Sequence, residues 1–524
     1  MPLINGTAGD DTLNGTVDAD EIYGLDGNDI IYAGGGGFPG IDWIYDGPGD
    51  DTVFGEADMD VIYGSPGNDT YDGGTGTSGF HGLDIDSVHY ESALAGIVVD
   101  LRLSVGQVRS AGNGDAAAIG VDTLINIEEV YGSNFDDTMR AADGSAGNAA
   151  LYGQGGNDTL IGGSGADILS GGAGDDLLDG GGGRDMAVYR LASTGVTVSL
   201  AISGPQDTGE GIDTLISIED LFGSTHDDLL IGNGGNNYLF GDRGNDILIG
   251  GAGFDILEGF TGDDIYIFES ASDYALDVIE DFDGVDEIRF AATVTSTLTL
   301  KPQEGMDRVV IGTGFGTTAD TTGLTALNVD ASVASNGLLI IGSDGANTLL
   351  ATAFNDTVFG GGGDDQLSGL AGVDTLTGGA GADTFRDTSA GLDGDTITDF
   401  AWGDRIVLTD ATLGLSVGLT VGSSGSQLTY GSASIFLSDV RNPSIAFSAA
   451  PEGGVQIVFG GPPIIFSSTV VSDDSTWGTS PSQTRLAASR EIPVQYAEQA
   501  FLFGAAQFPD PLILQTADSL FVVS

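Results

Sequence analysis

Three aspartates nine residues apart, Asp167, Asp176 and Asp185, sit in the run GGSGADILSGGAGDDLLDGGGGRDMAVY at 162–189. The unit reads Gly-Gly-x-Gly-x-Asp-x-apolar-x and starts again at once. Carboxylates are hard oxygen donors, and glycine leaves its neighbouring backbone carbonyls uncovered. Carbonyl oxygens with one carboxylate from each of two neighbouring units make an all-oxygen cage, whose size and flexibility suit Ca²⁺ better than Mg²⁺. For folding alone the unit is poor. Its glycines raise the backbone entropy lost on folding, and its acids repel one another. A bound cation supplies the missing free energy and removes the repulsion.

The acids must then be positioned by a repeat. A period of nine fits neither helix nor plain strand, but it fits a turn of about six residues followed by a very short strand. Two units make one turn of a flattened coil, so residue i lies over i+18, with Asp158 over Asp176, Asp167 over Asp185 and Asp246 over Asp264. On this reading Asp176 has Asp158 as its only aspartate partner on that edge, because the other neighbouring place falls on Thr194. Four blocks carry the unit. The first has Asp11, Asp20 and Asp29 and, after an insertion at 33–36, Asp42, Asp51, Asp60 and Asp69. The second opens at Asp137 and runs through Asp158, Asp167, Asp176 and Asp185; the third is Asp228, Asn237, Asp246, Asp255 and Asp264. The fourth is Asn347, Asp356, Asp365, Asp374 and Asp383. Asn237 and Asn347 are expected to give weaker sites or to use an amide oxygen, and Ala149 supplies no ligand. Two places after most of these aspartates comes an apolar residue (Leu13, Ile22, Leu169, Leu178, Leu248, Leu376), which is expected to point into a thin core.

Between blocks lie two copies of a longer linker, DSVHYESALAGIVVDL with GVDTLINIEEVYGS and DMAVYRLASTGVTVSL with GIDTLISIEDLFGS. Both alternate apolar and polar residues as half-buried strands do. A second pair, DVIEDFDGVDEIRF at 277–290 and DTITDFAWGDRIVL at 395–408, follows blocks three and four. Their Asp281, Asp286, Asp399 and Asp404 are expected to be structural rather than ligating. The expected division is a first roll at 1–80, a β linker at 81–131, a second roll at 132–189, a linker at 190–222 and a third roll at 223–268. A β-rich cap or linker at 269–340, a fourth roll at 341–386, a β cap at 387–460 and a C-terminal tail at 461–524 complete it.

Composition narrows the function. The chain has 524 residues, 78 acidic against 14 basic, and a formal net charge of −64. Nucleic acid is excluded as a partner, since phosphate binding needs clustered cations, and anionic membrane surfaces are disfavoured for the same reason. No apolar run is long enough to span a bilayer. There is no cysteine, which rules out a thiolate zinc site. The N-terminal MPLINGTAGDDTLNG lacks the basic and apolar regions of a secretory signal. His-Glu-x-x-His does not occur, so a zinc protease is not expected, and neither is a typical lipase. His81, His89 and His226 fall in linkers or at a roll start and read as structural or exposed.

The repeated nonad resembles the RTX (hemolysin-type) calcium-binding repeat. That resemblance implies an all-β chain of tandem parallel β-rolls separated by small antiparallel or sandwich-like β modules. It also implies that the block aspartates named above are Ca²⁺ ligands, together with carbonyls of preceding glycines such as Gly162, Gly171 and Gly180. One ion per stacked pair of turns gives about 15 Ca²⁺. The paired Asp-Phe segments resemble the strand-rich cap of serralysin-type C-terminal domains, and the terminal DSLFVVS resembles type I secretion signals. The expectation is a non-enzymatic calcium-binding protein, exported by type I secretion machinery from a Gram-negative bacterium, with a surface-layer- or adhesin-like role at the cell surface or in a matrix. Self-association and cell-surface polysaccharide are the further partners considered. The alternative is an extracellular enzyme whose site lies in the inter-roll β modules.

Overall fold

A computed structural model describes residues 1–35, 41–74, 85–112, 115, 117–143, 148–302, 305–412, 417–440 and 445–459, and the backbone of two further strands, Ile513–Thr516 and Ser519–Val522. The chain forms two compact units, 1–464 and 465–524. In the second, the two strands pair antiparallel. The rest of that unit, including most of the segment expected to act as an export signal, lies outside the described residues, as does His81.

The first unit is all but entirely β and is wound as a parallel solenoid. Each nonad contributes a strand of three to six residues, and each strand hydrogen-bonds to the strand one full turn away. The register is that expected of two stacked nonads: Leu3 pairs with Glu21, Thr159 with Leu177, Leu229 with Ile247 and Thr357 with Thr375. Successive strands alternate between two opposed sheets. In the nonads the apolar residue two places after the repeat aspartate points inward, so Ile22, Leu169, Leu178, Leu248 and Leu376 are fully buried. These form one continuous hydrophobic core from Ile22 to Ile457. The core is about one side chain deep on each face, which is why its strands are so short.

The blocks are not interrupted where the repeat lapses. A single 13-stranded sheet runs from Leu3–Asn5 to Val278–Asp283. Linker strands Ser87–His89, Glu129–Tyr131, Met186–Val188 and Asp220–Phe222 take their places in it in parallel register. The antiparallel pieces expected of the linkers are present as excursions from the opposite sheet: Ile97–Asp100 with Val108–Ser110 and Val121–Ile125, and later Gln206–Asp207 with Ile212–Ile216. The solenoid continues on two further sheets of 13 and 8 strands. It closes on antiparallel strands at 417–438 and 445–459.

On the outer side of the first sheet, rings stack in a rank through a linker. Tyr23, Tyr45, Tyr63, His89, Tyr131 and Tyr152 follow one another with centroids 4.7, 4.5, 5.1, 4.0 and 4.3 Å apart. His89 is therefore a structural histidine, held also by Glu91 at 3.0 Å and Ser87 at 3.2 Å. His226 lies in an exposed turn. One short helix, Ala271–Leu276, is N-capped by Ser270.

Candidate cation sites

The repeat aspartates form two ladders, one on each edge of the coil. In each rung the backbone N–H of one aspartate donates to Oδ1 of the aspartate a turn later: Asp11 to Asp29 (2.8 Å), Asp158 to Asp176 (2.7 Å), Asp167 to Asp185 (2.8 Å), Asp246 to Asp264 (2.7 Å), Asp365 to Asp383 (2.9 Å). This fixes the carboxylate plane and turns the second oxygen inward under the preceding turn. There Oδ2 of Asp29, Asp51, Asp158, Asp167, Asp176, Asp185, Asp246, Asp255, Asp264, Asp365, Asp374 and Asp383 is buried and has no hydrogen-bond partner. Leaving an ionised carboxylate so placed costs on the order of several kcal/mol.

Glycine makes the space that this oxygen enters. A Cβ built on Gly162 would stand 2.6 Å from Asp167 Oδ2 and 2.5 Å from the carbonyl oxygen of Gly180. A Cβ on Gly153 would likewise meet Asp158 Oδ2 at 2.2 Å and the Gly171 carbonyl at 2.6 Å. An orphaned carboxylate oxygen and a glycine carbonyl from the next turn thus converge on a cradle that any side chain would fill. The donors are all hard oxygens, so the residues present fit Ca²⁺.

The carboxylates show the same lack of compensation in their proton affinity. Burial pushes Asp158 and Asp246 up to about 8, and Asp176, Asp185, Asp264, Asp365 and Asp374 up to about 7. Hydrogen bonds from the ladder pull the other way but do not win.

The structure brings in ladder members that the nonad spacing missed. Asp176 does not stop at Thr194; its N–H donates to Asp213 Oδ1 at 3.0 Å, 37 residues on. The linker loops out between them and returns an aspartate to the vacant rung. Asp122 does the same for Asp69, and Asp86 for Asp60. Glu128 accepts from Asp86 and Glu219 from Asp185, one from each linker copy. Asp277, Asp286, Asp395 and Asp404 extend the ladders beyond blocks three and four. The signal available in the sequence was the duplication of the linkers, whose acids recur at matching places. A second, exposed ladder was also missed. Where the residue before a repeat aspartate is Asp or Asn, it accepts in the reverse direction, so that Asn157 N–H donates to Asp136, Asp175 N–H to Asn157, and Ile212 N–H to Asp175.

Not every expected ligand presents a bare oxygen. At block starts a hydroxyl residue four positions earlier covers the carboxylate: Thr7 on Asp11, Ser133 on Asp137, Ser224 on Asp228, Thr352 on Asp356. At block ends a buried tyrosine does so, with Tyr90 donating to Asp122 and Tyr189 to Asp213. The two asparagines carry a partner on each amide atom. The amide oxygens of Asn237 and Asn347 accept from Asn233 and Ser343 N–H, while their amide nitrogens donate to the carbonyls of Glu219 and Leu327. The donor NH₂ takes a carbonyl oxygen to itself, and the neutral amide brings no charge to the rung, in keeping with a weaker site.

Fold and site together define a parallel β-roll whose stacked turns offer carboxylate and carbonyl oxygens to hard cations. The RTX calcium-binding nonapeptide repeat matches this chain at 5–37, 37–71, 47–78, 152–187, 218–248, 240–275, 341–376 and 365–386, somewhat under half of its length. Over those residues the chain carries RTX calcium-binding repeats. No curated protein matches it.

Two predictions follow from the cradle and its charge. Gly162→Ala should weaken calcium binding in its block by roughly tenfold or more, since about 1.4 kcal/mol of lost fit suffices for that. Gly182→Ala, where an added Cβ meets nothing within 4 Å, should leave binding unchanged. Calorimetric titration of the two variants checks this. The second concerns pH. Carboxyls raised from about 4 to between 6 and 8 bind more protons folded than unfolded. The calcium-free fold should therefore lose stability as pH rises from about 4 to about 8. Calcium-stripped protein should gain β circular dichroism on acidification from pH 8 to 5, and calcium added near pH 7 should release protons. A calcium-free fold more stable at pH 8 than at pH 5 would contradict the assignment.

Proposed function

We propose that this protein is a secreted structural protein that folds on meeting calcium outside the cell and acts at a cell surface or in a matrix, in a surface-layer- or adhesin-like manner. The observation that carries the reading is the column of buried aspartate oxygens without partners, repeated on both edges of a core too thin to hold the coil alone. Where free calcium is low, the chain carries a net charge of −64 and its own repulsion keeps it extended. In that state it can be threaded through a type I exporter. Outside, about 15 ions neutralise about 30 carboxylates and the solenoid winds. A ligand that binds only the folded state also opposes return, because it shifts the equilibrium by mass action. A solenoid with a regular row of exposed acidic residues suits self-association through shared cations or attachment to a surface polysaccharide.

In chelator at neutral pH the chain should be largely disordered, and in millimolar Ca²⁺ it should show β circular dichroism. A β spectrum indifferent to chelator would remove calcium as the driver of folding. Export is tested separately. Deleting residues 464–524 in a host with a matching type I exporter should retain the chain inside, whereas undiminished secretion would assign the tail another role.

A further inference from the structure

Five residues before a ladder aspartate, the nonad normally has a glycine, as Gly162 precedes Asp167. At three places that position is itself aspartate: Asp46 before Asp51, Asp281 before Asp286, and Asp399 before Asp404. Asp46 stands in the glycine column, since its carbonyl oxygen approaches Gly24 as that of Gly180 approaches Gly162. Its carboxylate meets the stacked pair Asp51 and Asp69, with one oxygen from each lying within 4.8 Å of the others and all three residues buried. Asp281, itself half-buried, meets the buried Asp264 and Asp286 at the same spacing.

The two clusters share more than charge. In each, the inward apolar residue two places after a ladder aspartate is replaced by a buried tyrosine, Tyr71 or Tyr266. Tyr71 donates to Asp46 Oδ2 at 2.7 Å, and Tyr266 to Asp281 Oδ2 at 2.6 Å. The hydroxyl orients the added carboxylate without neutralising it. Separately, Oδ2 of Asp51 and of Asp264 is buried, lacks a partner, and belongs to a residue at most 1 % exposed. Asp399, five residues before Asp404, marks the contrast. Its two oxygens accept from the N–H groups of Gly378 and Gly379 at 2.9 and 2.7 Å, so it closes a turn and joins no cluster.

We propose that Asp46, Asp51 and Asp69, and likewise Asp264, Asp281 and Asp286, form two cation sites of three carboxylates each, distinct from the two-carboxylate sites of the regular turns. Affinity for Ca²⁺ rises with the count of charged ligands, and a third carboxylate favours a trivalent ion further. These two sites fill first as calcium rises and empty last in chelator. The proposal rests on the reading that the regular turns bind calcium.

The test uses the full chain, stripped and reloaded with Ca²⁺, then passed over a chelating resin, with the retained ions counted. Terbium alone is a second probe. Wild type should retain two ions and show two tight terbium sites. Asp281→Gly, which restores the usual nonad glycine, should lose one of the two and bind its remaining calcium as before. Asp281→Asn should weaken the same site by roughly tenfold or more through loss of one ligand charge. Asp46→Gly with Asp281→Gly should retain none. Tyr266→Phe, keeping all three carboxylates, should keep the ion. An unchanged tight class in Asp281→Gly, or a wild type that takes up its full calcium with no tight class, would overturn the proposal. A wild type that takes up no calcium would instead overturn the calcium reading on which it rests.

Discussion

A buried carboxylate oxygen without a partner is the constraint on which this solenoid depends. Each turn places one on each edge, beneath the turn before, and the backbone holds it there through the rung from N–H to Oδ1. The rung and the bare oxygen are two ends of one carboxylate. The hydrogen bond that sets the register of the coil therefore also creates the electrostatic cost that, near neutral pH, a cation removes. Fold and ligand cannot be separated: without the rung there is no site, and without a cation the rung carries a charge that the interior does not tolerate.

The hydroxyl caps show how the solenoid handles places where that bargain is not struck. Serine or threonine covers the aspartate where a block begins, and tyrosine covers it where a block ends. A hydroxyl gives the carboxylate a partner in the form of a neutral dipole, so the turn there depends less on a cation. Asn237 and Asn347 reach the same end by carrying donor and acceptor in one side chain. Repeat arrays couple mainly through nearest neighbours. Sealing the first and last rungs keeps the interior rungs uniform while the linkers loop out and return.

The linkers also explain why four blocks make one object. Their aspartates and glutamates complete rungs that the nonads leave open, and their strands complete the sheets. The rank of stacked rings from Tyr23 to Tyr152 crosses the first linker without a gap. Stacked aromatic pairs add about 0.5–1.5 kcal/mol each beyond buried area, a contribution that owes nothing to calcium.

The nonad by itself determined the strand, the inward residue, the 18-residue stacking and the identity of the donor atoms. Those are local consequences of spacing: glycine opens the turn, the aspartate five places on enters it, and the apolar residue two further on faces inward. Asp158 over Asp176 could be read off by counting. Asp176 with Asp213 could not, because 37 intervening residues loop out and only the folded sheet returns the chain to the rung. For the same reason counting left Asp281 and Asp286 as caps, while the structure sets them beside Asp264, and it could not tell a bare Asp167 from a hydroxyl-covered Asp228. Distance along the chain decides which residues can form a turn. Which carboxylates share a site, and which are already satisfied, is decided by how the turns stack.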